Sequence, residues 1–361
     1  DAEYGFHLWS NEYDRGLDDV FATQDEIANA VTAALIPRLQ AEDVPITRGG
    51  TKVVEAYDEY LKGREKWRVR EVAGLWEAVE HFRTALELDP NFALAWSGLA
   101  DAIDALVWRD VSASYLLREG RLAALRALTL DPEMAEGWVS AGVLAAEFDN
   151  DRELGELALR RALLLRPSYA NANQQLSGLL TNIGRVEEGR VLIEKAVELD
   201  PLSGFFHVNY GDNLLVAGEM DRARAEYEIT EELLGGGRGA LKLLGSARQL
   251  GLSPDEAADA AETMATQMGF PNPSEWRVVG EAIVTGAGAE EARAVVGRSP
   301  GMTRRDEMLI RIGLGEYEEA IAYLQEMWRS GAGDLWRIGV FPEWSPLRDD
   351  PRFIEIVKDL D

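Results

Sequence analysis

Apolar residues recur every three or four positions through most of the chain, which predicts a succession of amphipathic helices. Four of the predicted helices end in the same way, with a leucine, then an aspartate or arginine, then Pro90, Pro132, Pro167 or Pro201. These prolines lie 42, 35 and 34 residues apart. Because proline has no backbone N–H and cannot continue a helix, each one marks the end of a unit. The spacing therefore predicts repeated helical hairpins.

Each unit also repeats a pattern of large and small residues. Trp96 and Trp138 occupy equivalent places in two units, followed by Leu99 and Ala100 in one and by Ala141 and Gly142 in the other. Small residues allow two helices to cross closely, and large residues fill the space beside the crossing. This pattern resembles the tetratricopeptide repeat, a helical hairpin of 34 residues with a terminal proline. An ordinary helical bundle with chance periodicity is the alternative, but several units agree in register.

The resemblance implies an all-α fold, a right-handed α-solenoid of tetratricopeptide-type hairpins with a short N-terminal strand-helix remnant. Signals for helix starts continue after the repeat consensus fades. They include a capping sequence at Ser253 and the start of a last helix at Pro351. We expect the following division: the end of a TolB-like N-terminal module (1–40), a linker (41–54), five tetratricopeptide repeats (55–234), degenerate helical repeats (235–333) and a C-terminal capping segment (334–361).

The N-terminal segment carries its own pattern. The string from Gly5 to Ser10, with the later Gln24 to Ile27, resembles the end of the TolB-like domain that precedes such arrays in bacterial signalling proteins. Tyr4 to Asn11 alternates as a strand would, and a lone strand leaves its backbone groups unpaired. We expect it to pair with a missing upstream part or with another copy. The chain begins at Asp1 without a signal peptide, so we expect a processed or excised product.

The net charge of the chain limits the classes of molecule that it is expected to bind. The formal net charge is −27, whereas phosphate backbones and anionic lipids are bound by clustered Lys and Arg. We expect no nucleic acid partner and, because no apolar run approaches 18 residues, no membrane insertion. The chain contains no cysteine, which excludes disulfides and thiolate metal sites. The compartment stays unknown, with an extracytoplasmic one favoured over the cytoplasm.

The sequence contains little that indicates catalysis. Its three histidines, His7, His81 and His207, lie far apart in sequence, and no nucleophile elbow, phosphate-binding loop or zinc-binding motif occurs. The glycine-rich stretch at 235–239 follows no predicted strand and is interpreted as a turn. We therefore expect no enzyme activity, no cofactor and no metal.

The resemblance implies a binding groove instead, because the first helix of each tetratricopeptide hairpin lines the concave face. The carried-over positions are Asp101, Asp104, Glu136, Glu147, Asn171, Gln174, Thr181, Asn182, Phe205, Val208 and Asp212. The basic residues with which co-chaperones of this family hold a carboxylate are missing from the second to fifth units. We expect a scaffold that binds a protein or peptide partner in the groove. The alternative is a structural protein whose copies assemble head to tail into oligomers or filaments.

Overall fold

The computed structural model of the chain describes residues 48–109, 111–299, 302, 304–329 and 338–360. None of these residues forms a strand. Five helical hairpins come first: α1 with α2, α3 with α4, α5 with α6, α7 with α8, and α9 with α10. Their bounds are Val54–Val69, Val72–Leu88, Ala93–Arg109, Leu117–Leu130, Ala135–Phe148, Arg152–Leu165, Ala170–Asn182, Val186–Leu199, Gly204–Ala217 and Met220–Leu234.

Shorter hairpins follow the glycine turn at 235–237. In this part α12 packs most extensively against α13, α11 lies against both α10 and α12, α14 packs on α13, α15 pairs with α16, and a last helix, α17, packs on α16. Their bounds are Arg238–Gly245, Pro254–Gln267, Arg277–Thr285, Ala289–Arg298, Arg304–Gly313, Tyr317–Arg329 and Pro351–Leu360. Short 3₁₀ turns cover Val111–Leu116, Pro273–Trp276 and Pro342–Leu347. The Ser253 side chain caps α12 in a complete capping box, as its sequence predicts.

The second helices of four hairpins end in the same local structure. The N–H of the residue before each proline bonds to the carbonyl of a fully buried alanine four positions earlier, as Asp89 does to Ala85 at 2.9 Å. The Asp89 carboxylate then accepts a hydrogen bond from the N–H of Asn91 at 3.0 Å. Asp131 and Asp200 repeat this contact with the N–H two residues on. The recurring Asp-Pro pair is explained by two effects. The aspartate carboxylate accepts a backbone N–H of the turn, and the proline cannot extend the helix.

One hydrogen bond recurs six residues after each of these prolines, and we call its position the donor slot. Trp96 and Trp138 donate their indole N–H to the carbonyls of Pro90 and Pro132, each at 2.8 Å. Asn173 donates its amide to Pro167 at 3.3 Å, and His207 Nε2 lies 2.9 Å from the carbonyl of Pro201. A carbonyl oxygen only accepts, so His207 donates through Nε2–H. Four side chains of three kinds therefore make the same contact.

Close crossings within the hairpins follow the small-against-large pattern of the sequence. At Gly211 in α9, an added Cβ would lie 2.5 Å from the ring of Tyr227 in α10, and the ring itself is fully buried. Gly142 in α5 faces Leu159 in α6 in the same way, with an added Cβ at 2.9 Å. Because only glycine fits, these positions fix how closely the two helices of a hairpin approach.

The buried apolar residues form four clusters that follow one another along the chain and meet at shared helices. The last cluster reaches back across the array. Leu309 of α15 faces Gly245 of α11, and Gln249 donates its side-chain amide to the carbonyl of Pro342 at 3.3 Å. The C-terminal hairpin and the 3₁₀ turn at 342–347 therefore stand across one end of the concave side.

The expected all-α solenoid of tetratricopeptide-type hairpins is confirmed by this arrangement. The division into five repeats, a degenerate region and a cap stays a prediction, as does the linker. The TolB-like module at 1–40 and the strand at Tyr4 to Asn11 lie outside the described residues.

Candidate functional site

First helices from successive hairpins face one cavity of about 300 Å³. Its walls come from α3, α5, α7, α9 and α11, and α15 with the C-terminal turn at 342–347 closes one end. A second, much smaller cavity adjoins it and shares Arg70, Asp104, Val143 and Gln175 with the first. The two cavities together form the concave groove, and that name is kept below.

The structure brings most of the sequence-predicted site residues to this groove. Eight line the larger cavity: Asp104, Glu147, Gln174, Thr181, Asn182, Phe205, Val208 and Asp212. Asp101 and Asn171 line the smaller one with Asp104. Glu136 lines neither cavity and pairs with Arg166 at 2.9 Å.

A row of amide side chains follows the groove face of α7. Asn171, Gln174, Gln175 and Asn182 recur at helical spacing, and all four line one or both cavities. None of their side-chain amides forms a hydrogen bond within the described part of the chain. Each amide offers both a donor and an acceptor, so the row can bond to the N–H and C=O groups of an extended peptide.

Gly178 lies in the middle of this row and leaves the groove open. An added Cβ there would meet only the Asn209 side-chain oxygen, at 4.0 Å. Glycine is normally unfavourable inside a helix, because it has the largest conformational entropy to lose on folding. Here it keeps the space above α7 free of side-chain atoms.

Asp212 on α9 belongs to a partly buried ion pair. Lys242 from α11 donates to both of its carboxylate oxygens, at 2.7 and 2.9 Å, and Tyr227 donates its hydroxyl at 2.8 Å. The Asp212 residue is 6% exposed. Thr181 is similarly engaged, since its hydroxyl oxygen accepts a hydrogen bond from Asn213 at 2.8 Å. These contacts join neighbouring hairpins at the floor of the groove.

Asp101 is a buried carboxylate beside the smaller cavity. Ser140 donates its hydroxyl to Asp101 at 2.6 Å, and an Arg64 nitrogen lies 3.6 Å from the other carboxylate oxygen. Burial nevertheless raises the pKa of Asp101 above its usual value, because desolvation outweighs the long ion pair and the hydrogen bond.

Several residues that line the groove were not predicted from the sequence. The cations are Arg70 at the end of α1, and Arg238 and Lys242 on α11; Phe341 and Trp344 come from the C-terminal turn. None of them occupies a position that the repeat pattern marks as facing a ligand. The sequence gives one weak indication that Lys242 has a particular role, because it is one of only six lysines in the chain.

Two other kinds of site are missing from the described part of the chain. No helix there is both long and apolar enough to cross a membrane. Among the same residues, no three histidine or acidic side chains lie together as metal ligands would.

Comparison with known proteins bears on the fold. No family model matches the chain. A protein of Rhizobium meliloti (strain 1021) named "Putative adenylate cyclase 3" is 36% identical over 101 residues, which is 28% of this chain and 17% of that protein. The match therefore spans under a fifth of that relative's length.

Among solved structures, a monomeric mutant of IFIT1 with m7Gppp-AAAA has a TM-score of 0.51 at 15% identity, covering 84% of this chain and 71% of that one. The thermophilic TPR protein TTC0263 of Thermus thermophilus has a TM-score of 0.42 at 16% identity, covering 49% and 91%. YrrB, described as a TPR protein with an unusual peptide-binding site, has a TM-score of 0.30 at 20% identity, covering 45% and 79%.

The repeated hairpin, with its terminal proline, donor slot and glycine crossings, decides the assignment. The fold is a tetratricopeptide-repeat solenoid. In this solenoid the first helices face the groove and the second helices form the outer surface. Tetratricopeptide-repeat proteins are represented among the similar solved structures.

Proposed function

We propose that this tetratricopeptide solenoid is a non-catalytic scaffold that binds an extended segment of a protein partner in the concave groove. The amide row of α7 carries the proposal. Four side chains that face a cavity and have no hydrogen-bonding partner in the described protein are suited to a peptide backbone. The groove also offers apolar contact area through Phe205, Val208 and Leu241.

A peptide suits the groove better than RNA does, although the IFIT1 neighbour is described with m7Gppp-AAAA. The whole chain has a net charge of −27, and five carboxylates line the cavity against three cations. The carboxylates belong to Asp104, Glu147, Asp212, Asp306 and Glu343, and the cations to Arg70, Arg238 and Lys242. A polyphosphate would meet repulsion from the carboxylates, whereas a peptide backbone is neutral.

We further propose that the array serves a bacterial signalling protein with a TolB-like module. The resemblance of residues 5–27 to the end of such a module supports this context, as does the partial match to the Rhizobium meliloti protein.

Gly178 allows the groove to be blocked from within. We expect Gly178→Trp to fill the space above α7 and to weaken peptide binding at least tenfold, since the indole would occupy the path of the backbone. Gly178→Ala is the matched control: it adds one methyl group without a clash and stabilises α7 by about 0.5–1 kcal/mol.

The measurement uses phage-displayed heptapeptides selected on the wild-type protein. Enriched peptides are then synthesised and their dissociation constants compared across the wild type, Gly178→Ala and Gly178→Trp by fluorescence anisotropy. Peptides that bind Gly178→Trp as tightly as the wild type would place the site elsewhere and contradict the proposal.

Self-association is a second candidate, favoured by an apolar row on the outer surface. Leu122, Leu157 and Val191 occupy the same register in α4, α6 and α8, two residues after a buried glycine, and they are 57%, 66% and 67% exposed. Exposed apolar rows of this kind occur at contacts between proteins. We expect light scattering to detect oligomers that Leu157→Glu disrupts. A wild-type protein that stays monomeric at about 100 μM would exclude this candidate.

A further inference from the structure

Two rows of exposed side chains cross the outer surface of the solenoid side by side. The apolar row, described above, consists of Leu122, Leu157 and Val191. The cation row consists of Arg126, Arg161 and Lys195, which lie four residues further along the same three helices. Side chains four residues apart on a helix are neighbours on one face. The two rows therefore run one helical turn apart across α4, α6 and α8, and together we call them the outer patch.

The outer patch ends with these three helices. A buried alanine takes the place of the glycine on α2 and on α10, which fixes the equivalent positions there. On α2 these positions hold Glu80 and Thr84, and on α10 they hold Ala225 and Ile229. With neighbouring helices about 10 Å apart, the patch is roughly 20 Å long. It is a bounded surface and not a general property of the array.

Two cations of the outer patch are not neutralised by the protein itself. Arg126 and Arg161 form no ion pair and no side-chain hydrogen bond with any residue that the structure describes. Arg160 beside them differs, since it binds carboxylates on both α6 and α8. Lys195 pairs with Glu198 on its own helix at 2.9 Å, in an exposed contact that a partner can replace. The patch therefore offers positive charge on a chain whose net charge is −27.

We propose that the outer patch docks an amphipathic helix of a partner protein, with apolar side chains on the apolar row and carboxylates on the cation row. An α-helix rises about 10 Å in seven residues, so apolar residues seven apart match the spacing of α4, α6 and α8. An exposed apolar patch bordered by charge is typical of a protein-binding surface, and the charges fix the orientation of the partner. This site lies outside the concave groove and does not depend on the peptide proposed there.

The cation row distinguishes this occupant from two others. Self-association, the second candidate above, uses the apolar row alone, because a two-fold dimer would bring the same cations from both copies. A second copy and a partner helix cannot occupy that row together. An anionic bilayer would also face the acidic remainder of the chain, whereas a helix about 10 Å wide contacts the patch alone.

A helical peptide library tests the proposal. Phage-displayed peptides of about 15 residues carry leucine at every seventh position and random residues elsewhere, and they are selected on the immobilised full chain. Enriched peptides are synthesised, and their dissociation constants are measured by fluorescence anisotropy. We expect aspartate and glutamate to be enriched beside the leucines.

The selected peptides should bind the double variant Arg126→Glu with Arg161→Glu at least tenfold more weakly than the wild type. Peptides with lysine in place of their acidic residues should show the reverse order, because the charges are then exchanged on both sides. Arg68→Glu is the control, since it makes the same change at an exposed position of α1 outside the patch. Circular dichroism checks that the variants remain folded.

A library without enriched peptides would overturn the proposal, as would peptides that bind the double variant as tightly as the wild type. Vesicles of equal parts phosphatidylcholine and phosphatidylserine that bind the wild type but not the double variant would replace the helix with a bilayer. Wild-type oligomers that the selected peptides do not disperse would replace it with a second copy. The peptides should also bind Gly178→Trp as tightly as the wild type, and a loss there would place them in the concave groove instead.

Discussion

Lys242→Met is expected to lower the free energy of unfolding by about 1–3 kcal/mol. The substitution keeps the length and most of the apolar stem of the side chain but removes the cation from Asp212. That carboxylate is 6% exposed and would remain buried with the hydroxyl of Tyr227 but without Lys242. Removing one partner of a partly buried ion pair costs more than the pair contributes, because the remaining charge loses its cation in a site with little water.

Urea denaturation followed by circular dichroism measures the loss. Lys195→Met is the matched control, since Lys195 pairs with Glu198 at the surface and such pairs contribute little. The double variant Lys242→Met with Asp212→Leu should recover much of the loss, because it removes both charges together. An unchanged midpoint for Lys242→Met would mean that the ion pair does not join α9 to α11 in solution.

Gly280→Ala is expected to cost about 3 kcal/mol or more, although it adds a single methyl group. Gly280 is buried in α13, and an added Cβ would overlap the backbone carbonyl of Ala257 in α12. A side chain can rotate away from such a clash, whereas a helical backbone has to move as a unit. The two helices would therefore have to separate, and the contacts around Trp276 and Val279 would loosen with them.

Thermal unfolding of the two alanine variants gives a direct comparison. Gly178→Ala places the same methyl group in a helix that faces open space, so its midpoint should rise, while that of Gly280→Ala should fall. Midpoints that shift together would contradict the close crossing of α12 and α13.

The first five hairpins follow from the sequence because their signals are local. A proline after the second helix of four of them, and a small residue at crossings such as Gly142 and Gly211, act within a few residues of their position. The amide row of α7 is equally local, since helical spacing alone places Asn171 and Asn182 on one face.

The cationic side of the groove could not be predicted in the same way. Arg70 and Arg238 meet at Phe205 only because several hairpins are stacked at a particular angle, and that angle depends on every crossing between them. The residue that pairs with a polar side chain cannot be predicted from the sequence for the same reason. The sequence marks Asp212 as facing the groove, but it carries no sign that Lys242 comes to lie against it.

The donor slot has a consequence for how such arrays are recognised. Trp96, Trp138, Asn173 and His207 differ in size, shape and polarity, yet each gives one N–H to a proline carbonyl. Tryptophan shares neither size nor shape with asparagine or histidine, so a comparison of residue identities does not detect the contact that all four side chains make. Repeats of this kind are better detected by asking for a side-chain N–H six residues after a helix-ending proline, and this chain supplies four instances against which such a rule can be calibrated.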